Sequence, residues 1–461
     1  MNLLNRNINL VDTLYNASVF LLAFSLSFPM PIKGAAIIFL SLLACIKIII
    51  DYNQFSIVSE FSFNKPSIYF LLFFLLKVFS LFYLGNFFKS FNVLEKELSF
   101  LVFPIALLPL SIKDQVNFKK KLYYSFSLGV LITLLYSYFS ATKYFIHRLP
   151  TLNFYDCFEL TFMYQNFAGW TGSHAGYLSI FIIVGFFMMI DLFHPKYNLK
   201  SYHLRFNYVI IFVFILALIQ LLSVTPFFIF VSLLFFFFKI QNNRKIFLFI
   251  VPFIALILST FILYKSKLFV QYFYIIPLFV TAIFLLFKLC FSLSFKNAYK
   301  IFFSLVFIIP IILFITVDSS QALIDFIYYN PNNLAYRYWN WKFAIDLISD
   351  NLWIGTGTIA ADLKLASIYI QNGLSEISHF NEHNQYLRFG IEMGIIGLLA
   401  FSSLIIRLIT DGMKTQNFVY FAIILSFIIF SITESIFLRH YGIIFFTFTL
   451  IILNKLNVEN K

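Results

Sequence analysis

The sequence predicts an all-α membrane protein, a polytopic helical bundle with roughly 12–14 transmembrane helices and one large periplasmic loop. Three observations predict it. Of the 461 residues, 61% are hydrophobic and only 11% charged, against roughly 25% charged in soluble domains, and the mean hydropathy is +0.89. Apolar runs recur along the whole chain at about the 20-residue length that carries a helix across a hydrocarbon core. Those runs are too long and too continuous in Leu, Ile and Phe for barrel strands, so helices must satisfy the backbone inside the lipid.

Taken in order, the apolar windows place spans near 14–29, 35–50, 67–84, 97–111, 122–141, 173–193, 206–223, 225–239, 246–264, 270–293 and 300–317. The short pair flanking Pro226 reads either as two spans or as one bent unit. Three more spans follow near 386–408, 417–433 and 437–454. The chain is thus expected to run as membrane helices over 1–317, a large loop with an amphipathic helix over 318–384, and membrane helices again over 385–461. The polar stretch from Met1 to Val11 lacks cleavage-site character, and the first span is expected to stay as an anchor.

The net charge of +13 does not point to nucleic acid, because the basic residues are scattered between apolar spans and are not gathered on a soluble module. They read as topology signals. Lys113, Lys119, Lys120, Lys121, Lys196, Lys200, Arg205, Lys239, Arg244, Lys245, Lys296, Lys300, Arg407, Lys414, Lys455 and Lys461 all fall on one side, which is cytoplasmic by the positive-inside rule. The loops over 141–172 and 318–384 then face outward, away from the cytoplasm. Lys265 and Lys267 sit on the outer side against the rule, and read either as a miscounted span or as candidate substrate-binding cations. Cys45, Cys157 and Cys290 are too few and too dispersed for a disulfide framework or a zinc ribbon.

The long outer loop carries the chemistry-bearing residues. From Tyr336 to Leu347, the apolar Tyr336, Trp339, Phe343 and Leu347 follow helical spacing, with Arg337 on another face. A guanidinium presents a rigid fork that matches two phosphate oxygens, which makes Arg337 a catalytic candidate. The alternative is an interfacial anchor or a structural ion pair. Gly355-Thr356-Gly357 permits a tight turn, without the further glycine spacing of a phosphate-cradling loop. Where the loop returns to the membrane, His383 can take a proton from an attacking hydroxyl near neutral pH, with Glu382 and Asn384 beside it as substrate contacts. The alternative is a histidine hydrogen-bonded at a helix start.

His379-Phe380-Asn381-Glu382-His383 also fits the H-x-x-E-H pattern of zinc peptidases, which needs a helix aligning both histidines and a third ligand. Neither is evident in the sequence, so no metal and no cofactor is assigned. In the other outer loop, His174 stands at the start of a span as a candidate substrate contact or a helix cap. Glu434 lies at outer-face depth in Thr433-Glu434-Ser435, where an ionisable group is a functional candidate unless it pairs with Arg439.

The ordered set Arg337-Tyr338-Trp339-Asn340-Trp341-Lys342-Phe343-Ala344, Asn351-Leu352-Trp353-Ile354-Gly355-Thr356-Gly357, His383-Asn384-Gln385-Tyr386-Leu387 and Glu392-Met393-Gly394-Ile395-Ile396-Gly397 resembles the core of the O-antigen ligase and polymerase superfamily. The close from Thr433-Glu434-Ser435 through Arg439-His440-Tyr441-Gly442 is similar too. The resemblance implies a metal-independent glycosyltransferase that moves a glycan from an undecaprenyl-pyrophosphate carrier to lipid A core or another glycan acceptor. A ligase is the first reading and a polymerase the second. By the same resemblance, Arg337 holds the pyrophosphate leaving group and His383 activates the acceptor hydroxyl. Where many members carry a mid-chain arginine, this chain reads Leu222-Ser223-Val224-Thr225-Pro226-Phe227; the readings are that Lys265, Lys267 or Arg148 substitutes, that pyrophosphate binds more weakly, or that the chain is an inactive member. A lipid-linked sugar transporter or flippase is the rival of a different class. It would use the same cationic groove without needing His383.

Overall fold

The computed structural model describes residues 2–50, 65–81, 94–221, 223–240, 297, 333–374, 378–415 and 417–458. The spans expected near 246–264, 270–293 and 300–317, together with Lys265, Lys267 and Cys290, lie outside the described residues. The described residues form fifteen α-helices and no strand. In order they are α1 (Asn2–Ser25), α2 (Met30–Ile50), α3 (Pro66–Leu81), α4 (Ser99–Ala106), α5 (Gln115–Arg148), α6 (Phe154–Phe162), α7 (Tyr164–Gly169), α8 (Ala175–Asp191), α9 (Ser201–Leu221), α10 (Val224–Ile240), α11 (Asn333–Asp350), α12 (Thr358–Gln371), α13 (Gln385–Lys414), α14 (Phe418–Thr433) and α15 (His440–Val458). The all-α polytopic class is therefore observed. Among the described residues, α2, α5, α9 and α13 are long and apolar enough to cross a membrane, and shorter apolar helices include α3, α8 and α14.

The chain divides into two compact units, residues 1–226 with 336–461, and residues 227–335. Every described site residue lies in the first. The second carries most of α10, an unbroken apolar helix from Val224 to Phe238.

Within the first unit, α8 and α14 form the centre. Every residue from Ala175 to Met189 and from Val419 to Ile432 is buried, as expected of helices that are apolar all round. Around them α8 packs on α5, α9 and α14, α13 on α3 and α14, and α15 on α4 and α14. The helices α2 and α9 leave most of their apolar surface uncovered, which suits contact with lipid. Some polar groups in the interior pair across helices: Tyr15 donates to the Ala106 carbonyl at 2.8 Å, and the Ser27 and Thr133 hydroxyls meet at 2.8 Å.

Three expectations change. The span expected near 97–111 holds only the eight-residue α4, about 12 Å long and too short to cross a hydrocarbon core. The span expected near 122–141 is the middle of α5, whose 34 residues reach about 50 Å at 1.5 Å per residue, well beyond a hydrocarbon core of about 30 Å. Asp114 caps its start by accepting from the Asn117 N–H at 3.0 Å. The span expected near 386–408 is not one straight helix. At Gly394 the backbone takes φ 60° and ψ −148°. The Tyr386 and Phe401 rings come to 4.9 Å between centroids, whereas a straight helix would hold their backbones about 22 Å apart. Residues 385–393 therefore fold back against the start of the longer half of α13.

That break is built jointly with the turn after α11. The Thr356 N–H donates to the Ile391 carbonyl at 2.7 Å, Gly357 N–H to Glu392 at 3.0 Å, and Ile395 N–H to Leu352 at 2.7 Å. Gly355, at φ 72°, has no room for a Cβ, which would sit 2.5 Å from the Glu392 carbonyl carbon. Beneath the fold-back, charges on three elements pair, all of them buried except Asp362. Lys77 of α3 pairs with Glu392, and with Glu97 at 2.8 Å. Arg388 reaches Glu392 at 2.5 Å and also pairs with Asp362 of α12. Such groups persist inside a bundle only when paired.

Candidate functional site

The site is assembled from the starts of α8, α11 and α13 and the segment between α14 and α15. The helix α11 is amphipathic as its spacing indicates. Phe343, Ala344, Leu347 and Ile348 are buried against Ala361, Leu365, Tyr369 and Ile391, with Trp339 packed on this cluster. Burial of that face directs Arg337 toward the end of α14. There its Nη1 donates to the Thr433 carbonyl at 2.6 Å, and its Nη2 lies 3.5 Å from Glu434 Oε1. The Arg337 side chain stays 33% exposed.

His383 precedes the α13 N-cap and holds φ 49°, a left-handed conformation costly for a residue with a Cβ. Its N–H donates to Asn381 Oδ1 at 2.9 Å, and Asn340 of α11 donates to the Asn381 carbonyl at 3.0 Å. The ring Nδ1 lies 3.3 Å from Glu434 Oε2. Glu434 thus bridges His383 and Arg337, and its ion pairs go to these two residues and not to its chain neighbour Arg439. Burial works to raise the Glu434 pKa, but the hydrogen bond and charge of His383, with Arg337 and His174, outweigh it and hold the carboxyl below its ordinary value.

His174 caps α8 by accepting from the Gly176 N–H at Nδ1, 3.2 Å away. Burial lowers its pKa, Arg439, His383 and Arg337 lower it further, and Glu434 alone opposes them. His174 therefore stands in the electrostatic field of the same cluster. The phenol of Tyr164, at the start of α7, feels both Glu434 and Arg337.

Of the remaining candidates, Asn384 is the α13 N-cap, its Oδ1 accepting from the Tyr386 and Leu387 N–H groups at 2.9 and 3.2 Å. Glu382 is fully buried. Its carboxylate accepts from the Ser435 hydroxyl at 2.5 Å and lies 3.7 Å from Arg388. Arg148 ends α5, its guanidinium 5.2 Å from the Tyr144 ring centre. The cations Lys265 and Lys267 lie outside the described residues.

Residues 378–384 form turns and irregular backbone. His379 and His383 are therefore not on successive turns of one helix, and Glu382 faces the protein interior, so the zinc-peptidase geometry is not formed. Among the described residues no group of three His, Cys, Asp or Glu is placed to hold a metal ion.

The arrangement can do two things chemically. A carboxylate on Nδ1 fixes the imidazole tautomer that leaves Nε2 as the basic nitrogen, and a guanidinium beside it supplies positive charge where an anion would develop. The pairing of His383 with Glu434, and the roles of Ser435 and Arg388 around it, went unread in the sequence. Arg388 and Glu392, one turn apart in an otherwise apolar stretch, were a visible signal of a buried ion pair.

In comparison with known families, residues 229–402 match the O-antigen ligase family. The match includes Arg337, His383 and the Gly394 break, whereas Glu434 and His174 lie outside it. No curated protein gives a significant sequence match to the chain.

Proposed function

We propose that this chain, whose residues 229–402 match the O-antigen ligase family, is a member of that superfamily and transfers a glycan from a polyprenyl-pyrophosphate carrier to an acceptor hydroxyl. His383 Nε2 takes the proton of the acceptor hydroxyl as its oxygen attacks the anomeric carbon. The bond from that carbon to the pyrophosphate oxygen breaks, and Arg337 stabilises the negative charge that leaves. Glu434 stabilises the imidazolium formed at His383 and holds the ring in place. The carrier is undecaprenyl pyrophosphate, the acceptor is lipid A core or another glycan acceptor, and the site faces the periplasm from the inner membrane. No metal is needed in this scheme.

The single observation that carries the reading is the convergence of Arg337, His383 and Glu434 within 3.5 Å contacts at one end of the helices. A transporter of the same lipid-linked sugar would make use of the arginine but not of a carboxylate-held imidazole. The test is gel profiling of surface glycan in a strain deleted for the gene and complemented with wild type, His383→Ala or Arg337→Ala. Loss of long-chain glycan that neither variant restores, at normal membrane levels, supports the transferase. Accumulated lipid-linked polymer marks a ligase, and single repeat units on the acceptor mark a polymerase. Full complementation by His383→Ala would leave the transporter as the better account.

A further inference from the structure

His383 needs support to hold its left-handed backbone, and the support comes from one buried hydroxyl. The Asn384 N–H donates to Ser435 Oγ at 3.0 Å, and the Ser435 hydroxyl donates to Glu382 Oε1 at 2.5 Å. A serine has a single O–H to give, so this one is committed to Glu382 while its oxygen receives Asn384. Ser435 thereby ties together the residues immediately before and after His383. It is also the chain neighbour of Glu434, so the segment bearing the imidazole and the segment bearing its carboxylate are joined at one buried point. The Phe437 N–H donates to Gln385 Oε1 at 2.8 Å and closes the same two segments one step further in.

The other end of this clamp is anchored. Glu382 is fully buried and lies 3.7 Å from Arg388 Nη1. Arg388 is held in turn by Glu392 and Asp362, and Glu392 by Lys77. Burial raises the Glu382 pKa, against the opposing pull of Arg388 and the Ser435 hydrogen bond. The Glu382 carboxylate faces Ser435 and Arg388 and has no exposed surface.

We propose that Ser435 and Glu382 are positioning residues, which set the distance and orientation of the His383 ring relative to Glu434 through the Glu382–Ser435–Asn384 hydrogen-bond bridge. This rests on the transferase reading above for its kinetic consequence, but not for its geometric one. Displacing a catalytic group by about 1 Å can cost on the order of 100-fold in rate. The loss belongs in kcat, because both side chains are buried and act through the placement of His383.

The test uses full-length protein reconstituted in lipid nanodiscs, with wild type, Ser435→Ala, Glu382→Leu, Glu382→Gln and His383→Ala. Turnover is measured with a polyprenyl-pyrophosphate-linked glycan, and the rate of His383 modification by diethyl pyrocarbonate is read by peptide mass spectrometry. The proposal expects Ser435→Ala and Glu382→Leu to lower kcat by about 100-fold with KM little changed, and to speed modification of His383. Glu382→Gln keeps an acceptor for the Ser435 hydroxyl, and it is expected to stay near wild type in both readouts. Wild-type kcat in Ser435→Ala, a loss confined to KM, or equal damage from Glu382→Gln and Glu382→Leu overturns it. If Ser435→Ala fails to accumulate, the two Glu382 variants decide. A normal Ser435→Ala beside an inactive His383→Ala sinks the clamp alone, whereas an active His383→Ala sinks the transferase assignment. If wild type shows no transfer, the modification rates still decide the clamp, and an unchanged rate in Ser435→Ala refutes it.

Discussion

Nδ1 of His383 lies 3.3 Å from a carboxylate oxygen of Glu434, a residue that the chain reaches only after passing through α13 and α14. The same carboxylate faces Arg337 of α11 at 3.5 Å, so three separate elements meet on one acidic side chain.

The first prediction concerns that side chain. Glu434→Gln keeps its size but removes the charge that favours an imidazolium at His383, and turnover is expected to fall by about tenfold or more. The donor KM should change less than kcat, since the loss falls on the proton transfer. Steady-state transfer kinetics check it.

The pH dependence of stability follows from the same group. Its folded pKa is depressed by His383, Arg337 and His174 despite burial. A depressed acid contributes stability that is fully present above its unfolded value and is lost as pH falls through the folded value. Thermal unfolding between about pH 3 and pH 6 should therefore show a loss on acidification that is smaller in Glu434→Gln.

His174 acts in the same sense at higher pH. Burial and the neighbouring cations lower its pKa, and its Nδ1 must be unprotonated to accept from Gly176. The unfolded chain then takes up the proton first, so stability declines as pH drops below about 6.5. Asparagine is a good N-cap without a titrating ring. His174→Asn should keep the helix start and lessen the decline, as melting curves at pH 5 to pH 7.5, roughly the histidine range, would reveal.

The break in α13 depends on two glycines in contact. A Cβ at Gly394 would lie 2.5 Å from the Leu352 carbonyl oxygen, and one at Gly355 2.5 Å from the Met393 nitrogen. Both residues also hold positive φ. Gly394→Ala and Gly355→Ala are each expected to cost about 1–3 kcal/mol or more. Because the two positions touch, the double variant should cost less than the sum. Comparison of unfolding midpoints for the three variants measures this.

Much of the scaffold was legible because spans declare themselves by length and apolar continuity, and α11 by its spacing of Trp339, Phe343 and Leu347. The break at Gly394 was not. The apolar pattern runs on through Met393, Ile395 and Ile396, and a single glycine in a helical pattern is usually tolerated, so nothing local announces a reversal. The partner of Glu434 was equally hidden. Arg439 is its nearest cation in sequence, yet the extended backbone at Glu434 and the short helical turn Ile436–Leu438 separate the two. Meanwhile, packing of α11 brings Arg337 in from far along the chain. Arg337 and His383 stood out as residue types with a use, but the carboxylate that joins them is a product of tertiary structure.

The most direct test of the account is glycan transfer by the purified protein in lipid nanodiscs, from a polyprenyl-pyrophosphate-linked donor to an acceptor glycolipid, with wild type and His383→Ala compared at equal folded amounts. The account predicts product with wild type and a loss of about 100-fold or more in His383→Ala. Transfer by His383→Ala at the wild-type rate would contradict it.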